Sequence, residues 1–428
     1  MERTQERRVV QGSVTSWISD RPDLELVLAF YFCTVVIRLA VALLLGISSP
    51  LSGDEPEYYE PATHLILGQG YSHLWPDSVL RPSAYRVPGA SVIFAVGLLA
   101  FGNHVESARL TAVLFGSLAT PLMYLMARKI ATRKTSIAAA FVCLIYPTWL
   151  HASGTILSEP FFIPLLLLTL IQTACAVRSP RGWVALAAGI ACGAAGLVRP
   201  EGVAIALIFA LYLIWYVGMK RAMLFIFGCA LLVAPWVVRN MMLFEQPLLA
   251  TEAGETLLGS NNPYVVRVPA YHGMWYSPWS IPEYRAAIEF DYSETDRNRI
   301  QRDIAWRYLK ENPRVIPLLV FYKLTRWLTP ITASGGAIRL AVLASYGSLL
   351  LFLAFGLYLR IFRRSAESDL ALIWTLLMTI VTMVYWGNLT RGRIAVEIVW
   401  IPWGVIAASE AVKRLQKIMR RSNAESSL

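Results

Sequence analysis

The chain has 428 residues, 56% of them hydrophobic, 12% aromatic and only 16% charged, well below the roughly 25% of a soluble domain, so water is not its main solvent. Its formal net charge of +11 sits in short Lys and Arg clusters between apolar runs, the pattern of cytoplasmic loops, which argues against a nucleic-acid partner. All five cysteines (Cys33, Cys143, Cys175, Cys192, Cys229) lie inside apolar stretches, away from polar loops where they could pair or hold metal, and read as small buried hydrophobes.

The N-terminus, MERTQERRVV, is polar and precedes a spanning-length run with no small-residue cleavage site, so residues 1–23 are expected to stay as a cytoplasmic lead into an anchor. Hydropathy predicts spans near 24–47, 105–127, 136–152, 159–177, 183–198, 201–217, 221–239, 339–359, 369–386 and 394–411. Lipid tolerates only helices or closed barrels, so an all-α polytopic bundle of about ten transmembrane helices follows. Two further apolar stretches, 87–102 and 314–330, read as juxtamembrane helices. With that choice Arg128, Lys129, Arg133, Lys134, Arg178, Arg181, Lys220, Arg221, Arg360, Arg363 and Arg364 all share the cytoplasmic side with both termini. The division is then an N-terminal transmembrane module (24–240) containing a first outer loop (48–104), a second outer loop (241–338), C-terminal helices (339–411) and a basic cytoplasmic tail (412–428). The stretch SETDRNRIQRDIAWRYLKENP predicts a surface helix ending before Pro313. No internal repeat is evident, which disfavours an inverted-repeat transporter.

Chemistry concentrates in the outer loops. In SGDEPEYYEPATHLILGQGYS, Asp54 and Glu55 stand just beyond the first span, beside Glu57, Tyr58 and Tyr59. Capping of a short helix accounts for Asp54 about as well as chemistry does, because Pro56 suits the first helical position. As chemistry, a carboxylate at the mouth of an apolar bundle has a raised proton affinity and can take a proton from an acceptor hydroxyl. Asp54 is the candidate base, and Glu55 would orient it or hold acceptor groups. ILSEPFF repeats this geometry, with Ser158 and Glu159 preceding Pro160 at a helix start that also suits a carboxylate. Two acidic helix starts on one face point to a site, because ionisable groups at membrane depth are costly.

Arg81, Arg86, Arg199 in LVRPEG, Arg239, and Arg391 and Arg393 in NLTRGRIAVE share that face. Together they suit a phosphate, which arginine grips with a planar fork of donors. Singly, a lipid headgroup or a salt bridge is the simpler account, and Arg393 and Glu397, four apart, suit a pair along a helix. Arg38, within the first span, reads as an inward-facing structural pairing. In PWVVRNMMLFEQPLLATEAGETLLGSNNPY, Arg239 and Asn240 stand at a helix end, and Asn261 and Asn262 are candidates for sugar hydroxyls, with turn formation slightly favoured. Tyr58 and Tyr85 are further candidate substrate contacts. Trp275 and Trp279, with Tyr264, Tyr271 and Tyr276, suit sugar stacking and an interfacial aromatic belt equally well. His64, His73 and His272 lack metal-ligand spacing.

The set resembles the GT-C membrane glycosyltransferases, specifically the family 39 group of protein O-mannosyltransferases and the aminoarabinose transferase that modifies lipid A. The resemblance rests on GDEPEYYEPATHLILGQGYS after the first helix, RPSAYRVPGA closing the first outer loop, LSEP, LVRPEG, PWVVRN followed by GSNNP, and RGRIAVEIVWIP near the end. It implies an undecaprenyl or dolichyl phosphate sugar donor, Asp54 as catalytic base, Glu159 as the second acidic position, and Arg81 or Arg86 with Arg199 near the donor phosphate. Relatives often carry Arg-Tyr-Arg where Gly392 here separates Arg391 from Arg393, so an aromatic contact is missing. A large soluble outer domain is not expected, which leaves the acceptor open among lipid, glycan and protein.

The expected function is transfer of a sugar from a polyprenyl-phosphate donor to an acceptor hydroxyl, by a single inverting displacement. It is expected on the outer face of a multi-pass protein of the bacterial inner membrane. The arginines would neutralise the single phosphate without a cofactor or metal, a divalent cation bridging acidic residues being the alternative. The rival from another class is a transporter or flippase of a lipid-linked glycan intermediate. It would need phosphate-binding arginines and an apolar groove but not Asp54.

Overall fold

A computed structural model describes residues 21–75, 78–288, 293–330, 336–385 and 389–425, so most of the expected cytoplasmic N-terminus lies outside the described residues. Helix α1 (Arg21–Leu44) is the first apolar run, and α2 (Pro56–Ile66) starts on a proline whose fixed φ suits a first turn. A small antiparallel hairpin follows, β1 (Ser72–Leu74) with β2 (Leu80–Pro82), which sets His73 opposite Arg81. Next come α3 (Gly89–Phe101), α4 (Val105–Gly116), α5 (Ala119–Ala127), α6 (Arg133–Ile145) and α7 (Pro147–His151). The single span expected over 136–152 is thus broken. Tyr146 leaves the helical region (ψ 116°) because Pro147 crowds the residue before it.

Four helices complete the N-terminal module: α8 (Glu159–Arg178), α9 (Gly182–Val198), α10 (Glu201–Val217) and α11 (Met219–Phe244). The second long loop carries α12 (Ala253–Ser260), α13 (Tyr264–Arg267), α14 (Pro282–Ala287), α15 (Glu294–Glu311) and α16 (Val315–Leu328). Helix α15 is the predicted surface helix, capped by Ser293, which accepts from the Asp296 N–H. Then follow α17 (Gly336–Val342), a π turn over Leu343–Gly347, α18 (Ser348–Tyr358), α19 (Ala366–Val384) and α20 (Leu389–Glu425).

Among the described residues, seven helical stretches are long and apolar enough to cross a membrane: Asp23–Leu44, Val105–Ala127, Glu159–Arg178, Met219–Phe244, Arg339–Tyr358, Ala366–Val384 and Gly392–Arg420. Helices α3, α9 and α10 are apolar but shorter. The chain is an all-α multi-pass membrane protein. Helix α8 lies at the centre, with 78% of its apolar window buried against 17% for α1. Lipid offers no hydrophobic drive between helices, so close backbone approach has to supply the packing. Helices α9 and α11 achieve it through glycine: a Cβ at Gly189 would stand 1.9 Å from the Phe225 carbonyl oxygen, and one at Gly228 would stand 2.4 Å from that of Leu186.

Arg38 of α1 faces inward, as expected, but its partners are carbonyls rather than an acid. Its guanidinium stacks on Trp149 at 4.2 Å and donates to the Trp149 and Ala152 carbonyls at 3.1 and 3.5 Å, holding the end of α7 and the loop that runs on to Glu159.

Candidate active site

The two long loops meet over the ends of α8, α9 and α19 and enclose a cavity of about 670 Å³. The loop before α2 contributes Asp54 and the first turn of α2 contributes Glu57 and Tyr58. The end of the first loop adds Tyr85 and Arg86, the α9–α10 turn adds Arg199 and Glu201, and the second loop adds Glu252, Glu255 and Trp275. Val198, Ala204, Leu249, Ile380, Val381 and Val384 make the apolar part of the wall. Ile380 and Val384 also stand on the exposed side of α19.

Arg86 is the hub. It donates from Nε to Glu57 at 2.7 Å, pairs through its two terminal nitrogens with Glu57 and Glu252, and lies 3.5 Å from Asp54. Tyr58 and Tyr85 bring their rings to 5.5 and 5.3 Å of its guanidinium. Burial opposes the charge on Arg86, but Glu252, the Tyr58 phenol and Glu57 more than offset it, so its pKa stands above the ordinary arginine value. The acids respond in the other sense. Burial raises Glu57 despite Arg86, and raises Glu252 to about 7. Glu255 is also pushed up by burial while it accepts from the Tyr85 hydroxyl at 3.2 Å. Arg199 forms the second cationic point, 3.2 Å from Glu159 and 3.2 Å from Glu201.

Of the residues singled out from the sequence, Asp54, Tyr58, Tyr85, Arg86 and Arg199 line the cavity together. Glu159 is buried behind Arg199, and its neighbour Ser158 reaches the wall. Glu55 is placed differently from the expectation that it would orient Asp54 or hold acceptor groups. It is buried and accepts from the backbone N–H of Ser52 (3.1 Å) and Ile156 (3.0 Å) and from Arg109 (3.2 Å), so it braces the loop rather than facing the cavity. Arg81 stacks on Trp75 at 4.8 Å in the hairpin.

Arg239 donates to the carbonyls of Ser83 and Tyr71, both at 2.7 Å, and Asn240 bridges Arg239 and the Leu248 carbonyl. Asn261 and Asn262 close the turn after α12. Asn261 donates to the carbonyls of Leu257 and Val384, and Asn262 accepts from the N–H groups of Tyr264 and Val265. Arg393 pairs with Glu397 at 2.5 Å and caps the end of α16 through the Thr329 carbonyl at 2.8 Å. The cavity lining includes none of these five, and the bonds they make here run to the surrounding frame. Arg391 lies in α20, but its side chain is outside the described residues.

Glu252, Glu255 and Glu201 are wall residues beyond those the sequence motifs single out. For the first two the sequence does carry a signal, TEAGETLL, two glutamates three apart and so on one face of a helical turn, in the same segment as Asn261 and Asn262. Tyr264 and Tyr276 stack on each other at 5.2 Å, whereas Trp275 lines the cavity, packed over Gly259. Among the described residues no group of three His, Cys, Asp or Glu side chains is arranged to hold a metal ion. The carboxylates that converge here do so on a guanidinium.

Residues 83–239 match the family model described as dolichyl-phosphate-mannose-protein mannosyltransferase. No curated protein matches the chain. Among solved structures it is similar to the oligosaccharyltransferase AglB from Archaeoglobus fulgidus in complex with an inhibitory peptide and a dolichol-phosphate. That likeness has a TM-score of 0.55 at 16% identity and covers 96% of this chain and 52% of that one. The apo form of the same organism's oligosaccharyltransferase gives 0.54 at 15% identity over 96% and 52%. ArnT from Cupriavidus metallidurans bound to undecaprenyl phosphate gives 0.42 at 13% identity over 92% and 79%. The chain spans about half the length of the oligosaccharyltransferase it resembles. It has the GT-C membrane fold, and within that fold residues 83–239 match the dolichyl-phosphate-mannose-protein mannosyltransferase family.

Proposed function

We propose that the chain transfers a sugar from a polyprenyl-phosphate donor to an acceptor hydroxyl at the loop-bearing, outer end of the bundle. The observation that carries this reading is Arg86, set in the cavity wall with Asp54 3.5 Å away and an apolar wall of Ile380, Val381 and Val384 beside it. A phosphate with a long hydrocarbon tail needs cation and grease together, and the exposed side of α19 offers the tail a way in from lipid. The GT-C fold supports the same donor, since the oligosaccharyltransferase of that fold was solved with a dolichol-phosphate.

Asp54 takes the proton of the acceptor hydroxyl as its oxygen bonds to the anomeric carbon. The bond from that carbon to the phosphate oxygen breaks, and the polyprenyl phosphate leaves with the electron pair on the opposite face, so configuration inverts. Arg86 and Arg199 meet the charge that grows on the departing phosphate. Glu255, Tyr85 and Trp275 are placed to bind sugar or acceptor across the cavity.

The test is transfer by the purified protein in lipid nanodiscs, supplied with radiolabelled polyprenyl-phosphate sugars and membrane extract as acceptor. Wild type should move label from the lipid carrier, and Asp54→Asn should fold normally yet lose transfer by about 100-fold or more. Full transfer by Asp54→Asn would remove it as the base. Absence of transfer by wild type from every carrier sugar would defeat the reading itself.

A further inference from the structure

Helix α15 carries two acceptors one turn apart that hold both long loops. Glu294, at its first turn and 9% exposed, accepts from the Ala84 N–H at 2.9 Å and from the Thr251 hydroxyl. Asn298, 8% exposed, accepts from the Gly254 N–H at 2.7 Å. Between these anchors the loops pair directly: Thr251 N–H donates to the Ala84 carbonyl at 2.9 Å, and Glu252 N–H to that of Tyr85 at 3.2 Å. Gly254 must be glycine for this contact, because a Cβ there would stand 2.1 Å from the Asn298 carbonyl oxygen. Arg86, next after the paired residue Tyr85, and Glu252 and Glu255, in and just after the other paired segment, belong to the charged wall of the cavity.

From this geometry we infer that Glu294 is a positioning residue for the reaction, fastening the first loop to the second so that Arg86 meets the donor phosphate in a fixed place. A carboxylate suits the task better than an amide. Its two oxygens accept from several donors at once, and it sits where the helix N-terminus favours negative charge. Burial raises the pKa of Glu294, and the donors of Thr251, Ala84 and Ser83 draw it back down. None of its bonds reaches the cavity, so its effect passes through Arg86 and Glu252. The inference rests on the transfer reading only for the consequence of misplacing Arg86; the fastening itself is independent of it.

Hydrogen–deuterium exchange on the full chain in nanodiscs tests the fastening. Glu294→Ala should speed exchange at 83–86 and 250–256 and leave the spanning helices protected, and unchanged exchange there would overturn the inference. Undecaprenyl phosphate binding tests the route. Glu294→Ala should weaken it by about 10-fold to 100-fold, and adding it to Arg86→Ala should cost little more. Two losses that simply multiply would show that Glu294 does not act through Arg86. If wild type does not bind undecaprenyl phosphate, the donor reading fails while the exchange result still decides the fastening. Should Glu294→Ala not fold, Glu294→Gln and Thr251→Val each remove part of the same junction and take its place, with the same outcomes deciding.

Discussion

Arg86 and Glu252, 166 residues apart in the chain, form an ion pair that closes the first long loop onto the second at the cavity wall. The pair makes the site conditional, because a guanidinium already countered by Glu57 and Glu252 has to be shared with any phosphate that arrives.

Replacing Arg86 separates charge from geometry. Arg86→Lys keeps a cation but loses the planar fork that reaches Glu57 and Glu252 together, so kcat/KM should fall by about 10-fold to 100-fold. Arg86→Ala should fall further, because no cation remains there to meet the phosphate and Glu57 and Glu252 lose their shared partner. Steady-state transfer kinetics read both; equal activity of Arg86→Lys and wild type would mean that the fork is not used.

The raised pKa of Glu252, about 7, predicts how donor binding depends on pH. Below that pH the carboxyl is protonated, Arg86 loses one counter-charge, and its guanidinium is free to pair with a phosphodiester. Above that pH the ionised carboxyl competes. Donor affinity should therefore rise by roughly 10-fold as pH falls from about 8 to about 6, and Glu252→Gln should bind tightly and flatten the profile. Stability runs in the same direction. The unfolded carboxyl ionises in the ordinary range, so the contribution of this group to stability is full below that range and is lost as pH rises through about 7. Calorimetric titration with a non-hydrolysed donor analogue at several pH values gives the answer, and a flat wild-type profile would rule out the competition.

Much of this arrangement is written in local sequence. The polytopic bundle follows from apolar run length, and α15 from its charge and apolar spacing, because both are properties of contiguous residues. Asp54, Arg86 and Arg199 are legible because each is a charge beside a Pro- or Gly-rich turn at a helix end. What the sequence conceals is which charges are consumed by the frame. Nothing in the spacing of Glu55 and Arg109, 54 residues apart, announces their pair, and nothing in GSNNP distinguishes a sugar contact from the turn that Asn261 and Asn262 form. Glu252 escapes notice for the same reason, since its partner lies in the other loop.

Glu55 and Asp54, neighbours in sequence, should therefore separate cleanly by experiment. Glu55 and Arg109 are both nearly buried, with side chains 8% and 6% exposed, and Arg109 also holds the Gly46 and Ile47 carbonyls. Glu55→Ala strands a buried guanidinium and should cost about 3–5 kcal/mol of stability. Asp54→Asn, at a half-exposed side chain, should leave the melting temperature nearly unchanged. Thermal denaturation in detergent compares them. A Glu55→Ala protein as stable as wild type would contradict the brace, and one equally stable but inactive would return Glu55 to the chemistry.

The apolar wall makes a prediction about the carrier. Ile380 is 62% and Val384 49% exposed on α19, and both also line the cavity, so a polyprenyl tail passing between lipid and site would lie against them. Ile380→Ser with Val384→Ser removes several methyl and methylene groups from that path, each worth about 0.8 kcal/mol when fully covered. Partial cover should translate into roughly a 3-fold to 10-fold rise in KM for a long-chain donor, with kcat unchanged because the loss falls on binding of the tail. A donor whose chain is cut back to a methyl group has no tail to lie against the wall and should show no change. The measurement is the ratio of KM values for long and short donors in the double variant and wild type; equal ratios would place the tail elsewhere, and a fall in kcat for both donors would mean that α19 shapes the reacting end of the cavity as well.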